Sequence, residues 1–260
     1  MSVEDKVVII TGGAQGVGRQ IVRTFAAEKA RIAIADIASF DNVLADIKHL
    51  DVDILPVECD VREPDRVRSM FEQVHSRFGR IDVLIDDAGI VTHFQWGIPR
   101  WPRIAEMQPE FFDKVIRTNL FGTFLCTKHV LPYMEQQRSG HIINFGQGNV
   151  GRRNREDSPG ATAYHVSKVA IRSFTEGVAA EERGYNICVM SMGPGGEELN
   201  DARRGVATHE APEEAKPHMR PVEAVVGNRF IIAAEAPMEF SGHMIQIRNG
   251  KVVLAPDEQA

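Results

Sequence analysis

A glycine-rich turn, Thr11-Gly12-Gly13-Ala14-Gln15-Gly16-Val17-Gly18, follows directly on the apolar run 7–10. Beyond it, Val17, Ile21, Val22 and Phe25 fall at helical spacing, so the turn joins a strand to a helix. Few folds use such a joint. Glycines permit the tight reversal and let backbone N–H groups come close to a bound anion at the N-terminus of the helix. A strand–turn–helix of this kind suits the pyrophosphate of a dinucleotide.

The alternation continues along the chain. Residues 6–11, 31–36, 53–58, 81–86, 141–145, 187–191 and 244–248 read as strands, several of them apolar on both faces. Strands of that kind belong to a parallel sheet covered by helices on both sides. Val67, Met70, Phe71, Val74 and Phe78 form a helical stripe that opens after Pro64 and closes at Gly79. A longer helical stretch from about 109 to 136 carries Phe112, Val115, Ile116, Leu120 and Phe124, and another helix starts near Tyr164. No repeat, low-complexity tract or Pro/Ser-rich linker interrupts the pattern. The expectation is one α/β domain over residues 1–260, a Rossmann-like doubly wound parallel sheet of about seven strands with helices on both faces. Its ligand belongs at the carboxyl ends of the strands.

Bulk properties narrow the function classes. Apolar residues make up 43% of the chain and charged residues 25%, enough for a substantial core. A net charge of -6 without any basic block argues against nucleic acid or an anionic membrane as the main partner. The run 7–10 is too short for a signal sequence or a membrane span. Cys59, Cys126 and Cys188 are widely spaced in apolar segments, which reads as buried thiols of a reducing, cytoplasmic compartment rather than disulfides or metal ligands.

Asp36 closes the second strand about twenty residues beyond Gly16, where an acid receives a ribose 2′-hydroxyl. No Lys or Arg occupies 37–39, and Gln15 sits inside the turn, so NAD is favoured over NADP. Far downstream, Tyr164-His165-Val166-Ser167-Lys168 places a phenol and an ammonium at i and i+4, on one helix face. Beside a dinucleotide, that pair is the minimum equipment for proton transfer coupled to hydride transfer.

Taken together these segments resemble the short-chain dehydrogenase/reductase family over nearly the whole chain. Thr11-Gly12-x3-Gly16-x-Gly18 is similar to its cofactor turn, Cys59-Asp60-Val61 to its adenine-contacting strand end, and Asp86-Asp87-Ala88-Gly89 to its Asn-Asn-Ala-Gly segment. Asn119 matches the helix asparagine of the catalytic tetrad, Tyr164-x3-Lys168 its core, Gly193-Pro194-Gly195 the turn beside the nicotinamide, and Ser241-Gly242-His243-Met244 the closing strand. The resemblance implies that Tyr164 is the acid/base and that Lys168 favours its phenolate and holds the nicotinamide ribose. It also implies that Asn119 positions a water linking Lys168 to solvent. Cofactor contacts are implied for Gly12, Gln15, Gly16, Val17 and Gly18 in the turn, and for Asp36, Ile37, Asp60 and Val61 around the adenosine. Asp87, Ala88 and Gly89, then Tyr164, Lys168, Pro194, Gly195 and Glu197, complete the implied set. A homotetramer or dimer follows, with the helices near 109–136 and 164–182 at the interface. So does a mobile substrate loop over 195–220, a stretch that is polar, charged and poorly periodic.

The chain departs from the family in three places. Where the catalytic serine belongs, the text reads Asn144-Phe145-Gly146-Gln147-Gly148, followed by a long segment with Arg152, Arg153 and Arg155; Ser158 lies in a Ser-Pro-Gly turn. The Gln147 amide can donate a hydrogen bond to a substrate oxygen, or it can satisfy backbone groups of the arginine-rich segment. Asp87 replaces an amide and adds negative charge. Glu197 and Leu199 stand where a β-branched residue and a threonine usually touch the carboxamide. Trp96 and Trp101 fall in 92–107, which should emerge at the ligand side and form an apolar wall for a bulky substrate, or else pack between subunits.

The expected function is an NAD-dependent oxidoreductase that interconverts a secondary alcohol and a ketone, with a small-molecule substrate and no metal. A non-redox lyase or isomerase on the same scaffold, and a cofactor-binding protein with little catalysis, stay open beside it.

Overall fold

The computed structural model describes residues 3–90, 100–146, 161–193 and 226–255. Its centre is one eight-stranded sheet built from β1 (Val7–Thr11), β2 (Arg31–Asp36), β3 (Ile54–Glu58), β4 (Val83–Asp86), β5 (Gly140–Asn144), β6 (Ile187–Met192), β7 (Met244–Arg248) and β8 (Lys251–Leu254). The spatial order is β3-β2-β1-β4-β5-β6-β7-β8. All neighbours are parallel except β7 and β8. The strand order reverses between β1 and β4, and the crevice outside their carboxyl ends is where an open α/β sheet binds its ligand.

The helices are α1 (Gly16–Ala27), α2 (Asp41–Ile47), α3 (Pro64–Phe78), α4 (Pro109–Ile116), α5 (Gly122–Gln137), α6 (Thr162–Glu182) and the short α7 (Arg229–Ala233). The unbroken apolar text of β1 has a direct cause. Successive strand residues point to opposite faces. Val8 and Ile10 enter one buried cluster with Ile21, Val22 and Phe25 of α1. Val7 and Ile9 enter another with Met70, Phe71 and Val74 of α3 and Leu125 and Val130 of α5. The α3 stripe is buried at all five expected positions, with Pro64 at its start and Gly79 capping it in the left-handed region at φ 76. All three cysteines are free and buried. Burial pushes the Cys59 thiol up to about 11 and the Cys188 thiol up to about 12, so neither is a reactive thiolate. No described helix is long and apolar enough to cross a membrane.

Two features differ from expectation. The first is β8, which pairs antiparallel with β7 from Ile245↔Leu254 to Arg248↔Lys251. Asn249 and Gly250 join them with φ of 49 and 71, the left-handed pair that a tight two-residue hairpin requires. The second is the stretch 109–136. It is not one even α-helix, because residues Arg117–Phe121 form a π-helical turn between α4 and α5. Its buried side carries Phe111, Val115 and Asn119, whereas Phe112 and Phe124 are each 37% exposed.

Candidate active site

The glycine turn is closed on one side and open on the other. A Cβ on Gly12 would lie 2.9 Å from the Ala88 Cα, and one on Gly18 only 2.2 Å from the Gly12 carbonyl oxygen, so both positions demand glycine. Gly16, at φ +55, has nothing within 4 Å of where its Cβ would be. That clear side, at the N-terminus of α1, fits a pyrophosphate. Asp36 is 6% exposed and ties the turn in place, its two oxygens accepting the N–H groups of Ala14 and Ala38 at 3.0 Å each. Beyond it Ile37 is exposed on the rim of a hollow of about 470 Å³, lined also by Ser39, Asp41, Pro56 and Glu58. Among the described residues, no cation lines this hollow. Arg19 of α1 is held by Asp46 of α2 through bonds of 2.7 and 2.8 Å. Asp60 is clasped by the Arg62 guanidinium, which holds its carboxyl below the usual range, and Val61 packs on Gly122.

The end of β4 forms the floor. The Thr11 hydroxyl accepts the Ala88 N–H at 3.1 Å and faces the Asp86 carboxyl at 3.5 Å. Asp86 is 4% exposed, and burial pushes its carboxyl up to about 8, against the opposing pull of hydrogen bonds from Cys126 and Thr11 and the charge of Lys168. Asp87 turns toward the cleft, where its carboxylate accepts the Gly18 N–H, and burial raises it above the ordinary carboxylate range.

Helix α6 brings the phenol and the ammonium to the same crevice. Lys168 is 3% exposed, donates to the Phe145 carbonyl at 2.8 Å, and has its Nζ 5.8 Å from the centre of the Tyr164 ring. Burial lowers its pKa, opposed by the charges of Asp87 and Asp86. The Tyr164 ring is half-buried and lies 6.0 Å from the Trp101 ring, which also meets Phe111 edge-on at 6.1 Å. Burial, then the charge of Asp87, pushes the phenol up to about 12. The protein's own groups thus raise the phenol, and the expected shift toward phenolate invoked Lys168 together with an oxidised nicotinamide.

Asn119 sits on the π-helical turn, a distortion that recurs at functional sites. Its amide donates to the Ile90 carbonyl at 3.2 Å and to the Ser167 hydroxyl at 3.0 Å, while its oxygen accepts the Ile90 N–H at 2.7 Å. Ser167 in turn donates to the Tyr164 carbonyl at 2.7 Å. One side chain thereby locks the segment after β4 to the first turn of α6. Ser167, Ile90 and the Phe145 carbonyl carry no motif of their own, and pairing over such separations is invisible in text. Among the expected site residues, Gly12, Gln15, Gly16, Val17, Gly18, Asp36, Asp87, Ala88, Gly89, Asn119, Tyr164 and Lys168 gather at the carboxyl ends of β1, β2, β4 and β5. Gln147, Trp96, Pro194, Gly195, Glu197 and the loop 195–220 lie outside the described residues.

A glycine turn at the topological switch point, with a phenol and an ammonium at the same strand ends, defines a nicotinamide-dependent oxidoreductase scaffold. The chain belongs to the short-chain dehydrogenase/reductase family: the family model for short chain dehydrogenases matches residues 6–211. It is 32% identical over 265 residues to the 3-oxoacyl-[acyl-carrier-protein] reductase FabG of Thermotoga maritima, covering 97% of this chain and 100% of the relative. The FabG of Staphylococcus aureus strain Mu50 is 33% identical over 195 residues, 73% of this chain and 74% of that protein. Among solved structures, a short-chain type dehydrogenase/reductase from Mycobacterium marinum is 26% identical, with a TM-score of 0.77 over 96% of each chain. An NAD+-bound xylitol dehydrogenase is also 26% identical, with a TM-score of 0.66 over 75% of this chain and 72% of its own.

Proposed function

We propose that this oxidoreductase interconverts a secondary alcohol and a ketone with NAD(H). The observation that carries the reading is the placement of Tyr164 and Lys168 together on α6, beside Trp101 and within the field of Asp87, whose carboxylate rests on the glycine turn. A bound nicotinamide supplies or accepts the hydride. In reduction, Tyr164 gives its proton to the carbonyl oxygen; in oxidation, the phenolate takes the proton of the alcohol. Lys168, fixed by the Phe145 carbonyl, presents its remaining N–H donors to a ribose. Asn119 holds Tyr164 in place through Ser167. Gln147 is proposed as the donor to the substrate oxygen, and Trp96 and Trp101 as an apolar wall.

NAD is supported by Asp36 at the end of β2 and by Asp41 and Glu58 of the adjoining hollow, since a 2′-phosphate placed there would meet these carboxylates and, among the described lining residues, no cation. The NAD+ bound to the related xylitol dehydrogenase agrees. The ketone class includes 3-oxoacyl thioesters, the substrates named for the FabG relatives. A homo-oligomer is supported by Phe112, Phe124, Val166 and Val169, which α4, α5 and α6 leave exposed. The chain is proposed to act as one catalytic domain with 195–220 as its substrate loop, in the cytoplasm.

The test is a panel of secondary alcohols, ketones and 3-oxoacyl thioesters assayed by absorbance of reduced nicotinamide. Turnover of at least one carbonyl with NADH supports the reading. Dinucleotide binding without turnover of any member favours the non-catalytic alternative.

A further inference from the structure

Asp87 brings a carboxylate to the N-terminal turn of α1, where its oxygen accepts the Gly18 N–H. An ideal Cβ on Gly18 would lie 2.8 Å from the Asp87 Oδ2, so the carboxylate rests directly on that turn. The amide end of a helix is also the natural seat of an anion. A pyrophosphate entering the glycine turn therefore meets a negative charge already in place.

Other charges face Asp87 from each element around it. Asp36 of β2 acts on it unfavourably, and Lys168 of α6 favourably. Asp86 of β4 acts on the same Lys168, and Tyr164 of α6 feels Asp87. Among the described residues, Lys168 is the cation that acts on Asp87, and it is shared with Asp86. Among the described residues, the cleft that would take up a dianionic pyrophosphate thus holds carboxyls beside its ammonium.

We propose that Asp87 makes dinucleotide binding proton-linked: the carboxylate takes up a proton from solvent as the pyrophosphate binds. The protonated carboxyl keeps one oxygen for the Gly18 N–H and turns its new O–H toward the ligand, so an opposing charge becomes a donor. The inference rests on the dinucleotide reading above and adds a regulation that the reading does not require.

Linkage fixes the sign. A group that binds a proton more tightly in the complex strengthens binding as pH falls. Asp87→Asn mimics the protonated form, and its amide oxygen can still accept the Gly18 N–H, so the cap on α1 is kept. The experiment titrates wild type and Asp87→Asn with NAD+ by calorimetry from about pH 5.5 to about pH 8.5. At the acid end the two dissociation constants should agree within about twofold, and at the alkaline end the wild type should bind about tenfold more weakly. Lys168 is present in both chains, so a trend from its titration alone would appear in both. A ratio that does not change with pH, or a variant that binds more weakly throughout, overturns the proposal. Should the variant fail to fold, wild-type titrations in buffers of different ionisation enthalpy decide: net proton uptake supports the linkage, and no uptake overturns it. If the wild type binds no dinucleotide at any pH, the parent reading falls with it.

Discussion

The Tyr164 phenol is held protonated by burial and by Asp87. A protonated phenol is a ready acid for carbonyl reduction and a poor base for alcohol oxidation until pH rises or a cation approaches. The sign follows: the base form grows as pH climbs toward the pKa, while the acid form is present throughout the range below it. Alcohol oxidation should therefore accelerate from about pH 7 to about pH 9, with carbonyl reduction nearly flat; an oxidation rate that falls with rising pH would contradict this assignment. Asn119 offers a stability test. Replacing it with Ala strands the Ile90 N–H and carbonyl in a buried place, at a cost of about 2 kcal/mol or more in urea unfolding. A change below about 0.5 kcal/mol would mean that water restores those bonds. Motif residues such as Tyr164, Lys168 and Asn119 were legible because their spacing carries chemistry. The Phe145 carbonyl and Ser167 were not, because backbone acceptors and ordinary serines leave no signature in text.

At the scale of the element, the joint between β1 and α1 depends on contacts with the end of β4. Gly18→Ala pushes a methyl into the Gly12 carbonyl, and backbone cannot yield as a side chain can. Dinucleotide affinity should drop at least about tenfold, read by calorimetry, because the turn must shift; unchanged affinity would show that the turn is not the binding cradle. On the proposed reading of the end of β2, NAD should bind at least about tenfold tighter than NADP, since a phosphate beside Asp36 and Glu58 adds like-charge contact. Equal or tighter NADP binding would refute it. Strands were legible to within about two residues because a two-faced apolar run such as β1 has one physical use. The helix over 109–136 was legible, but the π-helical turn Arg117–Phe121 within it was not, and α4 buries Phe111 rather than Phe112. β8 was missed although Asn249-Gly250 is a hairpin signal, since a doubly wound pattern directs attention to parallel strands.

For the whole molecule, the sheet order brings the ends of β1, β4 and β5 to one crevice, and that convergence gives separate motifs a common target. The alternation of strand and helix announced this topology, whereas composition alone did not. The exposed Phe124 stacks with Phe121 at 5.7 Å and meets Phe174 edge-on at 6.4 Å, a ledge spanning α5 and α6. Phe124→Asp should convert the proposed oligomer to monomer in light scattering, because a charge buried in an apolar interface is costly. An unchanged mass would remove this face from the assembly.

The most direct measurement is NADH-dependent reduction of the best carbonyl substrate by wild type and by Tyr164→Phe, with NADH affinity measured in parallel. The account predicts that the variant binds NADH as the wild type does and loses turnover by about a hundredfold or more, the weight of a positioned proton donor. A variant that binds NADH normally and reduces the carbonyl at the wild-type rate would contradict the assignment of Tyr164 as the acid.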